Sequence, residues 1–512
     1  MLSLAFSAGM LGIEGYVVRV EADSSPGTPS FSIIGLPDRA LGEARERVRA
    51  AIFNSGFAYP AGRLLVNLSP ADVRKAGPAF DLAIALSLLA IDEQVDRAAL
   101  REYLALGELA LDGGLRAGSG ILPMVLGARA AGFTKLIVAQ ANAAEAALVG
   151  GMEIHAVPTL QDAVSVVLGQ GAKWRHCSGT PAFEPADELV HGDLADVRGQ
   201  SGAKRALEIA AAGGHNLLFL GPPGCGKTML ARRLPSILPP MSLGEALEVT
   251  KIYSVAGLLG AHAGVVRARP FRFPHHTISQ IALVGGGALA KPGEISLATN
   301  GILFLDELPE FSRHAIEVLR QPIEEGTVTI ARSAGTFTYP ARFQLVASMN
   351  PCPCGYRGTR TGHCRCDDAT VAKYVGRLSG PLLDRIDLQI DIARVPFDEM
   401  TRMDDAERSA AIRARVVAAR ERQRARFADA AIACNAEIPG SAVRRWCLLD
   451  DAAMRVLAQA SQKRRFSARA LDRIARTART IADLADSDAI RSEHVAEAIQ
   501  YRSLERLDGR AA

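Results

Sequence analysis

A chain of 512 residues, 48% apolar and 22% charged, is too long for one small binding module and too rich in core-forming residues for wholesale disorder. At roughly 100–200 residues per domain it holds about three domains. Its net charge of +4 is too small to mark a nucleic-acid binder by composition alone.

The opening hexapeptide from Met1 to Phe6 lacks the basic n-region of a secretory signal. Residues 1–170 alternate between β-like and helical patterns, which predicts an α/β unit. Residues 16–20 and 31–34 read as strands, and Pro37 opens a helical stretch to Ala50 with Val48, Ala51 and Ile52 on its apolar side. Residues 63–68 read as a third strand, and a Gly77-Pro78 break precedes a helix over 80–89. The most apolar stretch, 82–91, is about half the roughly 20 residues of a membrane helix, so no membrane partner is expected. Residues 171–197 lose periodicity and gather Gly, Pro, His and acids, as a linker does. A second α/β unit spans 198–395, and 396–512 is helical in pattern. From Thr401 onward 22 Lys and Arg stand against 16 Asp and Glu. That basic excess is either a solvated helical surface or one facing nucleic acid or nucleotide.

The strongest signal follows the apolar run 217–220. Gly221-Pro222-Pro223-Gly224-Cys225-Gly226-Lys227-Thr228 is a complete G-x-x-x-x-G-K-[ST] between a strand and a helix. Its glycines let backbone N–H groups curl around phosphates, Lys227 reaches the β- and γ-phosphates of ATP, and Thr228 ligates Mg²⁺. A second apolar strand, 302–305, ends in Asp306 and Glu307. Asp306 supports the Mg²⁺ shell and Glu307 deprotonates the attacking water, so the pair argues for hydrolysis. A third strand, 343–349, ends at Asn350, whose amide can hold that water against the γ-phosphate.

These motifs in this order resemble the AAA+ ATPases of the magnesium-chelatase-like branch. Within that branch, Arg272-Phe273-Pro274-His275-His276-Thr277-Ile278-Ser279, Met349-Asn350-Pro351-Cys352-Pro353-Cys354-Gly355 and the stretch from Leu378 to Leu388 are similar to the ComM/YifB family. The likeness runs from residue 1 to about residue 505. It implies an α/β architecture: an AAA+ P-loop core with a parallel sheet, a C-terminal helical lid, and an N-terminal Lon-protease-like α/β domain. Asn350 then corresponds to sensor 1, Arg385 to the arginine finger given to a neighbouring subunit, and Arg469 to the sensor 2 arginine of the lid. A homo-hexameric, cytoplasmic ring acting on single-stranded or branched DNA is implied as well, a branch-migration helicase of natural transformation or recombination. Residues 272–297 resemble an insert of this branch, and 326–332 with 335–338 read as a hairpin. Lys291 and Arg332 there are candidate DNA contacts or, equally, solvated charges.

The Lon-like resemblance rests on Gly35-Leu36-Pro37-Asp38, the stretch from Val66 to Asp72, and that from Lys75 to Leu82. Where a proteolytic relative has its Ser after Gly-Pro, this chain has Ala79, and an ungapped alignment puts Leu122 at the partnering Lys. Covalent acyl chemistry then has no route, which argues against an ATP-dependent protease and for oligomerisation or DNA handling. A chelatase- or chaperone-like ATPase that remodels a protein partner is the alternative function.

Eight cysteines in this length exclude a small secreted disulfide scaffold and favour a reducing setting. Cys352-x-Cys354, then nine residues, then Cys364-x-Cys366 supplies four thiolates with His363 adjacent. Four such ligands could close a tetrahedral Zn²⁺ site, although C-x-C is tighter than the usual C-x₂₋₄-C. The other reading is four reduced thiols in a loop.

Overall fold

In the computed structural model the described residues are 2–177, 183–184, 186, 192–259, 264–287, 290–332, 335–358, 364–397, 399, 406–464 and 466–502. The N-terminal unit is laid down in chain order as β1 (Leu2–Leu11), β2 (Glu14–Ser25), β3 (Ser30–Ile34), α1 (Ala44–Asn54), β4 (Arg63–Ser69), α2 (Asp81–Ile91), β5 (Tyr103–Leu106), α3 (Ile121–Ala130), β6 (Lys135–Ala139), β7 (Glu153–Val157) and β8 (Arg175–Cys177). Its eight strands form one mixed sheet in the order β8-β7-β6-β5-β1-β2-β4-β3. On β4 the apolar Leu64, Val66 and Leu68 alternate inward, as a half-buried strand requires. Every residue of α2 is buried, which explains its unbroken apolar run without a bilayer. Among the described residues no helix is long and apolar enough to cross a membrane.

Three details depart from the sequence reading. β1, unmarked in the sequence, is a central strand paired antiparallel with β2 from Leu2↔Asp23 to Leu11↔Glu14. Pro37 does not open a helix: it bridges Lys75 in extended form, and Asp38 Oδ1 accepts from the Leu41 amide at 2.8 Å. The stretch 171–197 is structured at both ends, since β8 pairs with β7 and Leu194 and Val197 are buried with the second unit.

The second unit runs α4 (Ser201–Gly213), β9 (Leu217–Leu220), α5 (Lys227–Arg233), α6 (Leu243–Ala256), β10 (Phe271–Arg272), β11 (Ile302–Leu305), α7 (Arg320–Glu325), β12 (Thr327–Arg332), β13 (Gly335–Pro340), β14 (Gln344–Met349) and β15 (Leu388–Asp391). Strands β10-β11-β14-β9-β15 lie side by side in that order, all parallel. Helices cover both faces of such a sheet, so β9, β11 and β14 are buried at every position, β9 and β11 as continuous apolar runs and β14 with Gln344 and Ser348 among its apolar residues. The hairpin β12–β13 forms as the sequence predicts.

The helical end comprises α8 (Ser409–Arg426), α9 (Asp451–Arg464), α10 (Ala468–Leu484) and α11 (Ser492–Gln500). Ile474, Ala478 and Ile481 of α10 share one core with Ile209 of α4 and Leu217 of β9. Polar contacts fix α10 to the chain ends entering the sheet: Thr480 Oγ1 meets the buried His215 Nε2 at 2.8 Å, and Arg473 Nη1 donates to Asp387 Oδ1 at 2.5 Å. Burial alone would raise the Asp387 carboxyl, but Arg473 and His215 outweigh it and hold it well below the usual carboxylate range. The N-terminal unit docks on α6, where Ser254 Oγ donates to the buried Glu145 at 2.5 Å and Ser254 O accepts from the Gly120 amide at 3.1 Å.

Candidate nucleotide-hydrolysis site

The parallel register sets Leu220 beside Met349, and Leu305 beside Ala347. The loops after β9, β11 and β14 therefore leave the sheet at one edge, where open α/β sheets bind ligands. In the loop 221–228, Gly224 and Gly226 have φ of +75° and +93°, and a Cβ on either would meet nothing within 4 Å. Their backbone conformation, rather than crowding, calls for glycine, and the loop is open toward solvent. Gly221 is different, because a Cβ there would stand 2.4 Å from the Ile392 carbonyl oxygen.

Lys227, 8% exposed, donates to Gly221 O at 2.6 Å, Pro222 O at 3.1 Å and Asn350 Oδ1 at 3.0 Å. Burial pulls its ammonium below the ordinary lysine range, against the opposing pull of Cys225, Asp306 and Glu307. Thr228 Oγ1 donates to Asp306 Oδ2 at 2.8 Å, and the Ser348 hydroxyl donates to the other Asp306 oxygen. The Glu307 amide donates to Ser348 Oγ at 3.2 Å. Glu307 itself is exposed and sits at φ +54°, a left-handed conformation costing a non-glycine residue about 1–3 kcal/mol. That turn takes its side chain out of the strand's alternation and frees the carboxylate at the sheet edge.

Lys227, Thr228, Asp306, Glu307 and Asn350 thus converge around one loop. A hydroxyl and a carboxylate side by side are the hard oxygen donors Mg²⁺ takes, and Lys227 is held by neutral acceptors that phosphate oxygens can replace. The residues fit ATP and Mg²⁺. Ser348 escapes sequence reasoning; its only signal is one hydroxyl inside the apolar run of β14.

Arg385 and Arg469 lie elsewhere. Leu388 is paired with Leu217, and Asn216 Nδ2 donates to Arg385 O at 2.9 Å, so Arg385 sits at the opposite edge of the sheet. Its side chain is buried, bonded to Glu324 of α7 and to Pro381 O. Arg469 is exposed on the first turn of α10, one turn before Arg473 and its partner Asp387. Neither faces the chain's own loop.

Lys291 and Arg332 come together: Lys291 pairs with Gly286, and Arg332 Nη2 lies 2.8 Å from where a Gly286 Cβ would stand. Ala79 and Leu122 are both buried in one apolar cluster of the N-terminal unit. The Sγ atoms of Cys352, Cys354, Cys364 and Cys366 lie within 4.8 Å of one another, while His363 is outside the described residues.

Three families match consecutive parts of the chain: "Subunit ChlI of Mg-chelatase" over residues 20–142, "Magnesium chelatase, subunit ChlI" over 193–400, and "Magnesium chelatase, subunit ChlI C-terminal" over 406–502. The chain is 44% identical to Competence protein ComM of Haemophilus influenzae, across 99% of this chain and 98% of that one. It is likewise 44% identical to YifB of Escherichia coli, with the same coverage. The Magnesium-chelatase 38 kDa subunit of Cereibacter sphaeroides is 25% identical over 41% of this chain and 60% of its own. Identity of this order along whole chains, on a five-stranded parallel core with an assembled phosphate loop, places the chain in the ComM/YifB family of magnesium-chelatase-like AAA+ ATPases.

Proposed function

We propose that the chain hydrolyses ATP with Mg²⁺ as one subunit of a homo-hexameric cytoplasmic ring, and that hydrolysis drives movement on single-stranded or branched DNA as a branch-migration helicase. The observation that carries the hydrolytic half is the convergence of Lys227, Thr228, Asp306, Glu307 and Asn350 at one sheet edge. Lys227 exchanges the Gly221 and Pro222 carbonyls for phosphate oxygens, while Thr228 and Asp306 hold the metal. When bound, Mg²⁺ neutralises charge on those oxygens. Glu307 takes the proton of the attacking water, and the Asn350 amide orients that water. Arg385, at the far edge, serves a neighbouring copy's nucleotide, where a guanidinium offsets charge spreading over the transferred phosphoryl group, and Arg469 acts as the sensor 2 arginine of the helical lid.

Two observations support DNA as the track. The relative from Haemophilus influenzae is a competence protein, and the insert and hairpin bring Lys291 and Arg332 side by side. The N-terminal unit is taken as a Lon-like domain without peptidase chemistry, because Ala79 and Leu122 offer neither nucleophile nor base. The test is ATP hydrolysis with and without single-stranded or branched DNA, at low salt where counterion release favours binding. DNA should stimulate turnover, and Lys291→Glu with Arg332→Glu should abolish the stimulation while sparing basal hydrolysis. No DNA binding at low salt refutes the helicase reading and leaves the protein-remodelling one.

A further inference from the structure

The turn after Asn350 carries chemistry that phosphoryl transfer does not use. Sγ of Cys352 lies 3.3 Å from that of Cys354, and both lie 3.7 Å from Cys364 Sγ. Cys366 completes the group within 4.8 Å, and all four are free thiols. A tetrahedral centre with Zn–S of about 2.3 Å needs its sulfurs about 3.8 Å apart. A disulfide would hold them at about 2.05 Å. The spacing therefore suits a shared metal.

The backbone agrees. The Gly355 amide donates to Cys352 O at 2.9 Å, closing a tight turn over the C-x-C pair. Gly355, at φ +83°, then leads the chain away from that turn. Four soft thiolates with no open position select Zn²⁺ in a structural role over the hard Mg²⁺.

The cluster also touches the nucleotide loop. A Cβ on Gly355 would stand 2.6 Å from Pro223 Cδ and 3.8 Å from Asn350 Cγ. Arg394 lies over the Tyr356 ring at 5.9 Å from its centroid and donates to Pro223 O at 3.5 Å. Cys352, fully buried, is two residues from Asn350. We propose that Cys352, Cys354, Cys364 and Cys366 bind one Zn²⁺, and that this ligation pins the Asn350 loop against Pro223 so that Asn350 is positioned for hydrolysis. The positioning half rests on the ATPase reading; the metal half does not.

The experiment is metal analysis of the full chain purified under reducing conditions without chelator, followed by zinc release with a mercurial and its reversal by thiol and Zn²⁺. About one zinc per chain is expected, and Co²⁺ loading should give the ligand-field absorption of a tetrahedral tetrathiolate. Less than about 0.1 zinc per chain together with no uptake on titration overturns the site. Release should lower kcat for ATP about tenfold or more while KM stays within about twofold; thiol alone, which frees a mercurated Cys225 of the nucleotide loop, should not restore it, and thiol with Zn²⁺ should. An unchanged kcat after complete release overturns the positioning role. Cys364→Ser should reproduce the metal loss; if that variant does not fold, the mercurial titration of the unaltered chain decides alone.

Discussion

Replacing Arg385 by Ala removes a guanidinium from the wrong end of the sheet to serve its own chain's nucleotide. Leu388 stands opposite Leu217, and Arg385 precedes that level while the phosphate loop begins at Gly221, past the other end of β9. Four strand residues alone separate the two edges by about 13 Å, and Arg385 is also tied to Glu324. On the proposed reading the finger therefore comes from another copy. Arg385→Ala should keep nucleotide affinity and lose about 10³–10⁵ in turnover, or about 4–7 kcal/mol of transition-state stabilisation. Folding should lose the packing of a side chain that is itself buried, but no charge is left buried, because Glu324 is 54% exposed and water replaces its partner. Lys227→Ala should instead lose nucleotide binding. When the two variants are mixed in equal amounts, about one interface in four joins an intact loop to an intact Arg385. Phosphate release by the mixture should reach about a quarter of the unaltered rate, from two preparations that are each nearly inactive. Mixed rings that form yet hydrolyse no faster than either variant would refute the trans assignment. A loss of nucleotide affinity in Arg385→Ala equal to that of Lys227→Ala would refute it too.

Glu307→Gln keeps shape and removes the proton acceptor, so turnover should fall about 10²–10⁴-fold with nucleotide affinity retained, read by phosphate release beside equilibrium binding. Arg473→Ala leaves Asp387, 5% exposed, without its guanidinium and should cost about 3–5 kcal/mol in denaturant unfolding. The acid limb gives the sign of the pH effect: Asp387 is held below its unfolded value, near 3.9. Its stabilisation is complete above that pH and is lost as pH falls toward the folded value, because the unfolded chain then binds the proton first. Unfolding free energy of Arg473→Ala should accordingly vary less with pH below about 4 than that of the unaltered chain.

The nucleotide edge was legible because a parallel sheet covered on both faces writes its strands as largely apolar runs, and each run here stops at a chemical motif. β1 was not legible. Ser3 and Ser7 are buried in it, with hydroxyls donating to Ser87 O at 2.5 Å and Ala105 O at 2.9 Å. A hydroxyl that finds a carbonyl partner is buried without looking apolar, so hydropathy alone misses the strand. Ser348 escaped for the same reason, since its partner Asp306 is distant in sequence. The opposite-edge position of Arg385 is a matter of strand order and register, which local pattern does not encode.

The basic excess of the helical end has a use that charge counting did not suggest. Arg415 of α8 donates to Glu208 of α4 at 2.6 Å and pairs with Glu407; Arg422 pairs with Asp486 and Asp488; Arg426 and Arg479 share the buried Asp483. Arg420 donates to Ala211 O from Nε at 3.2 Å and from Nη2 at 3.0 Å, and Arg413 Nε donates to Ser236 O at 2.9 Å. Ala211 is in the last turn of α4, whose carbonyls lack partners within the helix. A planar guanidinium that is always charged and offers forked donors suits such carbonyls and carboxylates better than an ammonium does. These arginines dock α8 and α10 to the ATPase unit and to each other and face protein rather than a polyanion, whereas Arg424, Arg444, Arg445, Arg455 and Lys463 are exposed. On the DNA reading, any contact from this end falls to those exposed side chains, while Lys291 and Arg332 remain its candidates in the insert and hairpin.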